Sequence, residues 1–193
     1  EFALARDGRT LAMSVPSTRE ARIMDLDTGI VRDSRFSHTN LDSIALSPDA
    51  RWLATAGWFS ADAQVWNTQT GEPGLNVTGE RARVSFTPNG REIVVTTSRA
   101  YTFYDVKTHK ITHRFQRQVG MHLGWIAFTS DGKLMAMEIS PGLIRLCEVT
   151  TKRTIAHLQD PNGNVCLWMG FTPDDSQLIV AASYARAIHR WDL

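Results

Sequence analysis

Short apolar runs alternate with polar turns along the whole chain, and the alternation recurs with one long period. Apolar triplets lead into the turns: Ile44-Ala45-Leu46, Val84-Ser85-Phe86, Ile126-Ala127-Phe128 and Met169-Gly170-Phe171. Others lead out: Trp52-Leu53-Ala54, Ile93-Val94-Val95, Leu134-Met135-Ala136 and Leu178-Ile179-Val180. Runs of this length, bounded by Pro, Asn, Asp and Gly, read as strands joined in hairpins. The turns share one form: Ala5-Arg6-Asp7-Gly8-Arg9, Ser47-Pro48-Asp49-Ala50-Arg51, Thr87-Pro88-Asn89-Gly90-Arg91, Thr129-Ser130-Asp131-Gly132-Lys133 and Thr172-Pro173-Asp174-Asp175-Ser176. Their acidic or Asn positions are 42, 40, 42 and 43 residues apart. Pro48, Pro88 and Pro173 preset φ for a turn, and Gly8, Gly90 and Gly132 permit positive φ. The middle of each lead-in is small (Ala3, Ala45, Ser85, Ala127 or Gly170), which predicts crowding near a shared axis.

A second element repeats in phase: Ile23-Met24-Asp25, Val65-Trp66-Asn67, Phe103-Tyr104-Asp105, Leu146-Cys147-Glu148 and Arg190-Trp191-Asp192. In four copies a turn follows, at Thr28-Gly29, Thr70-Gly71, Thr108-His109 and Thr151-Lys152, and then another short strand such as Ile111–Phe115 or Thr154–Leu158. Four strands in about 40 residues describe one β-propeller blade. The expected fold is therefore all-β, with four-stranded antiparallel blades. The repeats run over approximately 1–41, 42–81, 82–123, 124–166 and 167–193, the last without its outer strand. That gives about 4.75 blades. The expectation is one propeller segment that is part of a larger propeller or is completed by self-association.

Ser47-Pro48-Asp49, Val65-Trp66-Asn67, Arg190-Trp191-Asp192-Leu193 and Asp25-Leu26-Asp27-Thr28-Gly29 together resemble the WD-repeat β-propeller family, in a degenerate, bacterial-type form that covers the whole chain in about five copies. The resemblance implies a set of bracing hydrogen bonds from a His, a Ser or Thr of strand two, an Asp and the Trp of strand three. Only the second repeat approaches that set, with His38, Thr55 and Trp66; Asp62 lies closer to Trp66 than the pattern expects. Elsewhere Met13, Val95, Met137 or Val180 holds the strand-two position, so those blades are expected to rely on apolar packing.

Composition narrows the function. With 21 Lys+Arg against 20 Asp+Glu, the net charge of +1 gives no global case for nucleic acid or membrane. No apolar run is long enough for a membrane-spanning helix. Cys147 and Cys166 lack metal-ligand spacing and read as small buried hydrophobes of a reducing, cytoplasmic compartment. The first residue is Glu1, which suggests a start inside a longer chain or after a processing boundary.

No His pattern suits a metal, so no metal or cofactor is expected. His109 stands where a turn has Gly, and His38 reads as a bracing donor. Asp25-Leu26-Asp27-Thr28-Gly29 begins like a calcium loop but lacks the later ligands, and Asn67 with Thr70-Gly71 repeats its frame as a hairpin turn. No phosphate loop or nucleophile elbow occurs, so catalysis is not expected.

Aromatic residues outside the repeat frame carry more information. Trp58 and Phe59 fall in a hairpin loop, where they either pack on the adjacent blade or form a contact surface. Trp125 and Trp168 precede equivalent lead-in triplets, near the channel entrance where WD-repeat propellers receive partners. Arg83, Arg99 and Arg186, with Tyr184, lie near the same end, and interleaved Arg and aromatic residues suit acidic peptides. The expected function is a non-enzymatic interaction or scaffold module whose loops take a protein or peptide. The alternative is a regulatory WD-repeat segment of a larger bacterial signalling enzyme such as a kinase, with catalysis elsewhere.

Overall fold

The computed structural model describes residues 1–15, 20–38, 41–57, 62–79, 81–118, 122–160, 162–183 and 187–193. Among the described residues, nineteen strands form five antiparallel sheets in sequence order. The first contains β1 (Phe2–Leu4), β2 (Thr10–Val15), β3 (Glu20–Asp25) and β4 (Val31–Ser37). The second contains β5 (Leu41–Leu46), β6 (Trp52–Gly57), β7 (Asp62–Asn67) and β8 (Pro73–Thr78). The third contains β9 (Arg83–Phe86), β10 (Glu92–Thr96), β11 (Ala100–Asp105) and β12 (Ile111–Gln116). The fourth contains β13 (Ile126–Phe128), β14 (Leu134–Ser140), β15 (Leu143–Glu148) and β16 (Thr154–Gln159). The fifth has three strands, β17 (Cys166–Phe171), β18 (Gln177–Ala182) and β19 (Ala187–Asp192).

Register keeps the phase seen in the sequence. The small lead-in residues pair with the middle of the second strand in every sheet: Ala3 with Ala12, Ala45 with Ala54, Ser85 with Val94, Ala127 with Ala136 and Gly170 with Ile179. Contacts divide the chain into two compact units, Glu1–Thr97 with Thr102–Arg114, and Ser98–Tyr101 with Phe115–Leu193. In the first unit, Ile23, Phe36, Leu53 and Trp66 join sheets one and two, while Val65, Val84, Ile93 and Val95 join sheets two and three. In the second, Leu146, Met169, Leu178 and Val180 join sheets four and five. Each such buried aliphatic side chain contributes about 1.5–3 kcal/mol, so face-to-face packing between sheets supplies the main cohesion.

The lead-in turns have a common internal chemistry. Ser47, Thr87, Thr129 and Thr172 each donate a hydroxyl hydrogen bond to the Asp or Asn two residues on, at 2.6–2.8 Å. Each hydroxyl oxygen in turn accepts the backbone N–H of Trp52, Glu92, Leu134 or Gln177, at 2.9–3.1 Å. The first repeat has Ala5 at the hydroxyl position, and there Asp7 takes over by accepting from the Thr10 N–H and hydroxyl. The residue after the Asp or Asn is left-handed in all five turns, with φ of 66° at Gly8, 57° at Ala50, 67° at Gly90, 72° at Gly132 and 59° at Asp175.

Candidate functional site

A cleft of about 710 Å³ opens between the second and third sheets, at the end of the strands where these turns lie. Its lining comes from four turns: Asp49, Arg51 and Trp52; Asn67 and Gln69; Asn89, Gly90 and Arg91; Asp105, Val106 and Lys107. The turns are tied together beneath it. The Thr68 N–H donates to the Arg51 carbonyl at 3.0 Å and its hydroxyl to the Ala50 carbonyl at 2.7 Å, while the Val106 N–H donates to the Arg91 carbonyl at 3.0 Å. Pro48 packs against Gly90, so the two lead-in turns touch. Trp52 packs against the core shared by the two sheets.

One side-chain oxygen, Oδ1, of each Asp and Asn in the lining is already occupied. Asp49 Oδ1 accepts from the Ser47 hydroxyl and the Arg51 N–H, and Asn89 Oδ1 from the Thr87 hydroxyl and the Arg91 N–H. Asn67 Oδ1 accepts from the Gln69 and Thr70 N–H groups. Asp105 Oδ1 accepts the Lys107 and Thr108 N–H groups and the Thr108 hydroxyl, and these bonds hold its carboxyl below the usual range, the Thr108 N–H most strongly. The donors of the lining are the guanidinium groups, the Lys107 ammonium and the side-chain amides, beside the second oxygens of Asp49 and Asp105. A second hollow of about 300 Å³ in the same unit is lined by Thr78, Thr97, Thr102, Tyr104 and Arg114 among others.

Of the residues singled out from sequence, the four that are described lie elsewhere. Trp58, Phe59, Tyr184 and Arg186 fall outside the described residues. Arg83 opens β9, at the end remote from the β9–β10 turn, and is half-buried. Arg99 is exposed in the β10–β11 turn, where its carbonyl accepts the Arg117 N–H at 2.7 Å. The two tryptophans differ. Trp125 is half-buried against the core of sheets four and five. Trp168 is 48% exposed, because a bulge between Cys166 and Trp168 breaks the alternation and leaves Leu167 exposed beside it. Its ring lies over Gly170, where a Cβ would come within 2.6 Å of it. None of these four described residues lines either cavity.

The bracing set of the second repeat is present as two separate pairs, since His38 Nδ1 has no hydrogen-bond partner among the described residues. The Trp66 indole N–H donates to the Thr55 hydroxyl at 3.0 Å, and buried His38 Nε2 lies 3.0 Å from Asp62 Oδ1. Asp62 opens β7, so its closeness to Trp66 in the sequence does not prevent the contact. His109 has φ of 59°, as a Gly substitute must, and its ring packs over Gly74. Asp25 Oδ1 is occupied by the Asp27 and Thr28 N–H groups and Oδ2 lies against Arg9, an arrangement of a capped hairpin turn. Cys147 and Cys166 are buried, and burial pushes the Cys147 thiol up.

One polar cluster escaped the sequence reading. Arg117 and Glu138 are both buried, with Arg117 Nη2 3.6 Å from Glu138 Oε2. Arg117 Nε also donates to the Glu138 carbonyl at 2.9 Å and Nη1 to the His122 carbonyl at 3.1 Å. The Tyr101 hydroxyl shares its proton between the carbonyls of Trp125 and Glu138, and burial pushes its ionisation far up, so it remains a neutral donor. Glu138 Oε1 accepts the Cys166 N–H at 2.8 Å. Gly124 makes room, since a Cβ there would lie 2.6 Å from the Arg117 guanidinium carbon. The available signal was a lone Glu within the apolar run Leu134–Ile139, which needs a buried partner.

Solved structures match the whole arrangement of strands. Hydrazine synthase from Kuenenia stuttgartiensis superposes with a TM-score of 0.75 at 14% identity over 100% of this chain and 65% of that one. The β-propeller domain of Myceliophteria thermophila Cps50 (Swd1) gives 0.75 at 19% identity over 98% of this chain and 63% of that one. The fold is a β-propeller. The five sheets are its blades, and the chain spans just under two thirds of each of these two propeller-containing structures. No protein-family model and no curated protein matches the sequence. The 710 Å³ cleft is thus a groove between blades two and three.

Proposed function

We propose that this chain is a WD-repeat-type propeller module that captures a protein or peptide partner and performs no chemistry of its own. The observation that supports this reading is the cleft between blades two and three. Its four turns are fixed by internal hydrogen bonds, so a ligand would meet a preorganised surface and little ordering entropy would oppose binding. Its volume lies in the usual range for ligand clefts, and Trp52 offers an aromatic wall of the kind that anchors recognition.

A random-peptide display selection on the 193-residue chain tests the reading. Enriched peptides are expected to lose binding to Gln69→Trp, which fills the cleft from an exposed turn position and leaves the thermal melt unchanged. Failure to enrich any peptide over a bait-free control, or enrichment indifferent to Gln69→Trp, would overturn it.

A further inference from the structure

The turns of blade one show what the same frame looks like when its charges are neutralised. Arg9 Nε lies 3.2 Å from Asp25 Oδ2 and 3.0 Å from Asp27 Oδ2, so the cation that follows the left-handed residue is paired with two carboxylates of the neighbouring hairpin turn. Blade four compensates the same position differently, with Lys133 Nζ 2.8 Å from Asp131 Oδ2.

Blades two and three keep the cation and lose three of the four corresponding acids. The positions of Asp25 and Asp27 are Asn67 and Gln69 in blade two, and Asp105 and Lys107 in blade three. The nearest carboxylate to Arg51 is Asp49 of its own turn, at 3.7 Å, while Arg91 has no ion-pair partner among the described residues. Lys107 adds a third positive charge where blade one has a negative one. Two carboxylates remain, Asp49 and Asp105, each with Oδ1 accepting hydrogen bonds from its own turn, so the lining carries three cations against two anions. Asn67 and Asn89 spend their carbonyls on turn N–H groups and keep their NH₂ groups, which have no acceptor among the described residues. Every change from the blade-one frame moves the cleft toward positive charge and unsatisfied donors.

We infer that the cleft between blades two and three binds an acidic peptide segment, with its carboxylate or phosphate groups held by Arg51, Arg91 and Lys107. This rests on the peptide-capture reading above and names the chemistry of the ligand. Guanidinium groups suit both oxyanions because their forked donors match two oxygens at once. The cleft has room for several side chains, so a segment fits it better than a single small ion.

Fluorescence anisotropy with three labelled decapeptides, Glu-rich, phosphoserine-rich and Gln-rich, provides the test. The Glu-rich or phosphoserine-rich peptide is expected to bind at least about tenfold more tightly than the Gln-rich one, with affinity falling as ionic strength rises. Binding of both anionic peptides assigns the site to acidic residues in general, and binding of the phosphoserine peptide alone assigns it to phosphorylated ones. Arg51→Gln with Arg91→Gln is expected to erase the preference. So is Asn67→Asp with Gln69→Asp, which restores the blade-one acids and keeps the Oδ1 acceptor that caps the turn. Equal binding of the Gln-rich peptide, or full anion preference in both double variants, would overturn the charge assignment. Uncharged peptides that enrich in the display selection and respond to Gln69→Trp would leave peptide capture standing, whereas a selection that enriches nothing would remove the reading beneath it.

Discussion

The left-handed position of each lead-in turn shows how much one residue's context decides. Ala50 occupies it with φ of 57°, at a cost of about 1–2 kcal/mol that Gly90 avoids in the equivalent place. Asp175 has nearly the same φ, 59°, but its carboxylate accepts the Ser130 N–H and hydroxyl at 2.7 Å and the Asp131 N–H at 3.1 Å, joining blades four and five. Opposite outcomes are therefore expected from one type of substitution. Ala50→Gly should stabilise by about 0.5–1 kcal/mol after allowing for the greater freedom of Gly in the unfolded chain. Asp175→Gly should destabilise despite the relieved backbone, because three bonds between blades are lost. Urea midpoints of the two variants check both signs, and a stabilised Asp175→Gly would refute the clasp.

At the scale of strands, the buried Arg117 adds side-chain bonds to the backbone bond that the neighbouring Gln118 N–H donates to the Ile139 carbonyl. It follows β12, reaches the carbonyl and carboxylate of Glu138 in β14, and through Glu138 meets the first residue of β17. Removing one member leaves a buried charge uncompensated, which costs about 3–5 kcal/mol. Arg117→Met should show a loss of that size in chemical denaturation. Glu138→Gln should cost less, because its amide oxygen can still accept from Cys166 N–H. Equal losses in the two variants would mean that the charge pair, rather than the acceptor role, sets the stability. Strand existence, order and phase were legible in the sequence because each blade repeats the same apolar triplets and turn residues. The Arg117–Glu138 pair was not, since its members are 21 residues apart and belong to no repeat. The cleft was half-legible. Arg9, Arg51, Arg91 and Lys133 recur at one turn position, but which of them is neutralised depends on Asp25, Asp27, Asn67, Gln69 and Lys107 some 16 residues further on, a relation visible only once the hairpins are paired. The difference between Trp125 and Trp168 was hidden for another reason: strict alternation makes them equivalent, and the bulge in β17 is what separates them.

Across the whole molecule, the turns give the protein a common response to acid. Asp7, Asp25, Asp105, Glu148, Asp160, Asp174 and Asp175 are all held below their ordinary values by hydrogen bonds, and Asp131 is held down to about 2, mainly by Lys133. A lowered folded value means that the stabilisation is fully present above the unfolded carboxylate range and is lost as pH falls through the folded one. Glu1 runs the other way, because burial raises it. Stability measured by urea unfolding should therefore be level near neutrality and decline steadily from about pH 5 to about pH 2. A profile that is flat over that acid window would show that the turn carboxylates contribute nothing to folding.

The substitution of Ala5 for the turn hydroxyl has a further consequence for how the blades open to solvent. In blades two to five the amide that enters the second strand is sheltered by a hydroxyl, which carries no charge to lose at low pH. In blade one the corresponding amide, at Thr10, is sheltered by the carboxylate of Asp7. Protonating Asp7 is thus expected to expose the Thr10 amide to hydrogen exchange directly, whereas the other four amides keep an uncharged acceptor and feel acid only through the residue their hydroxyl bonds.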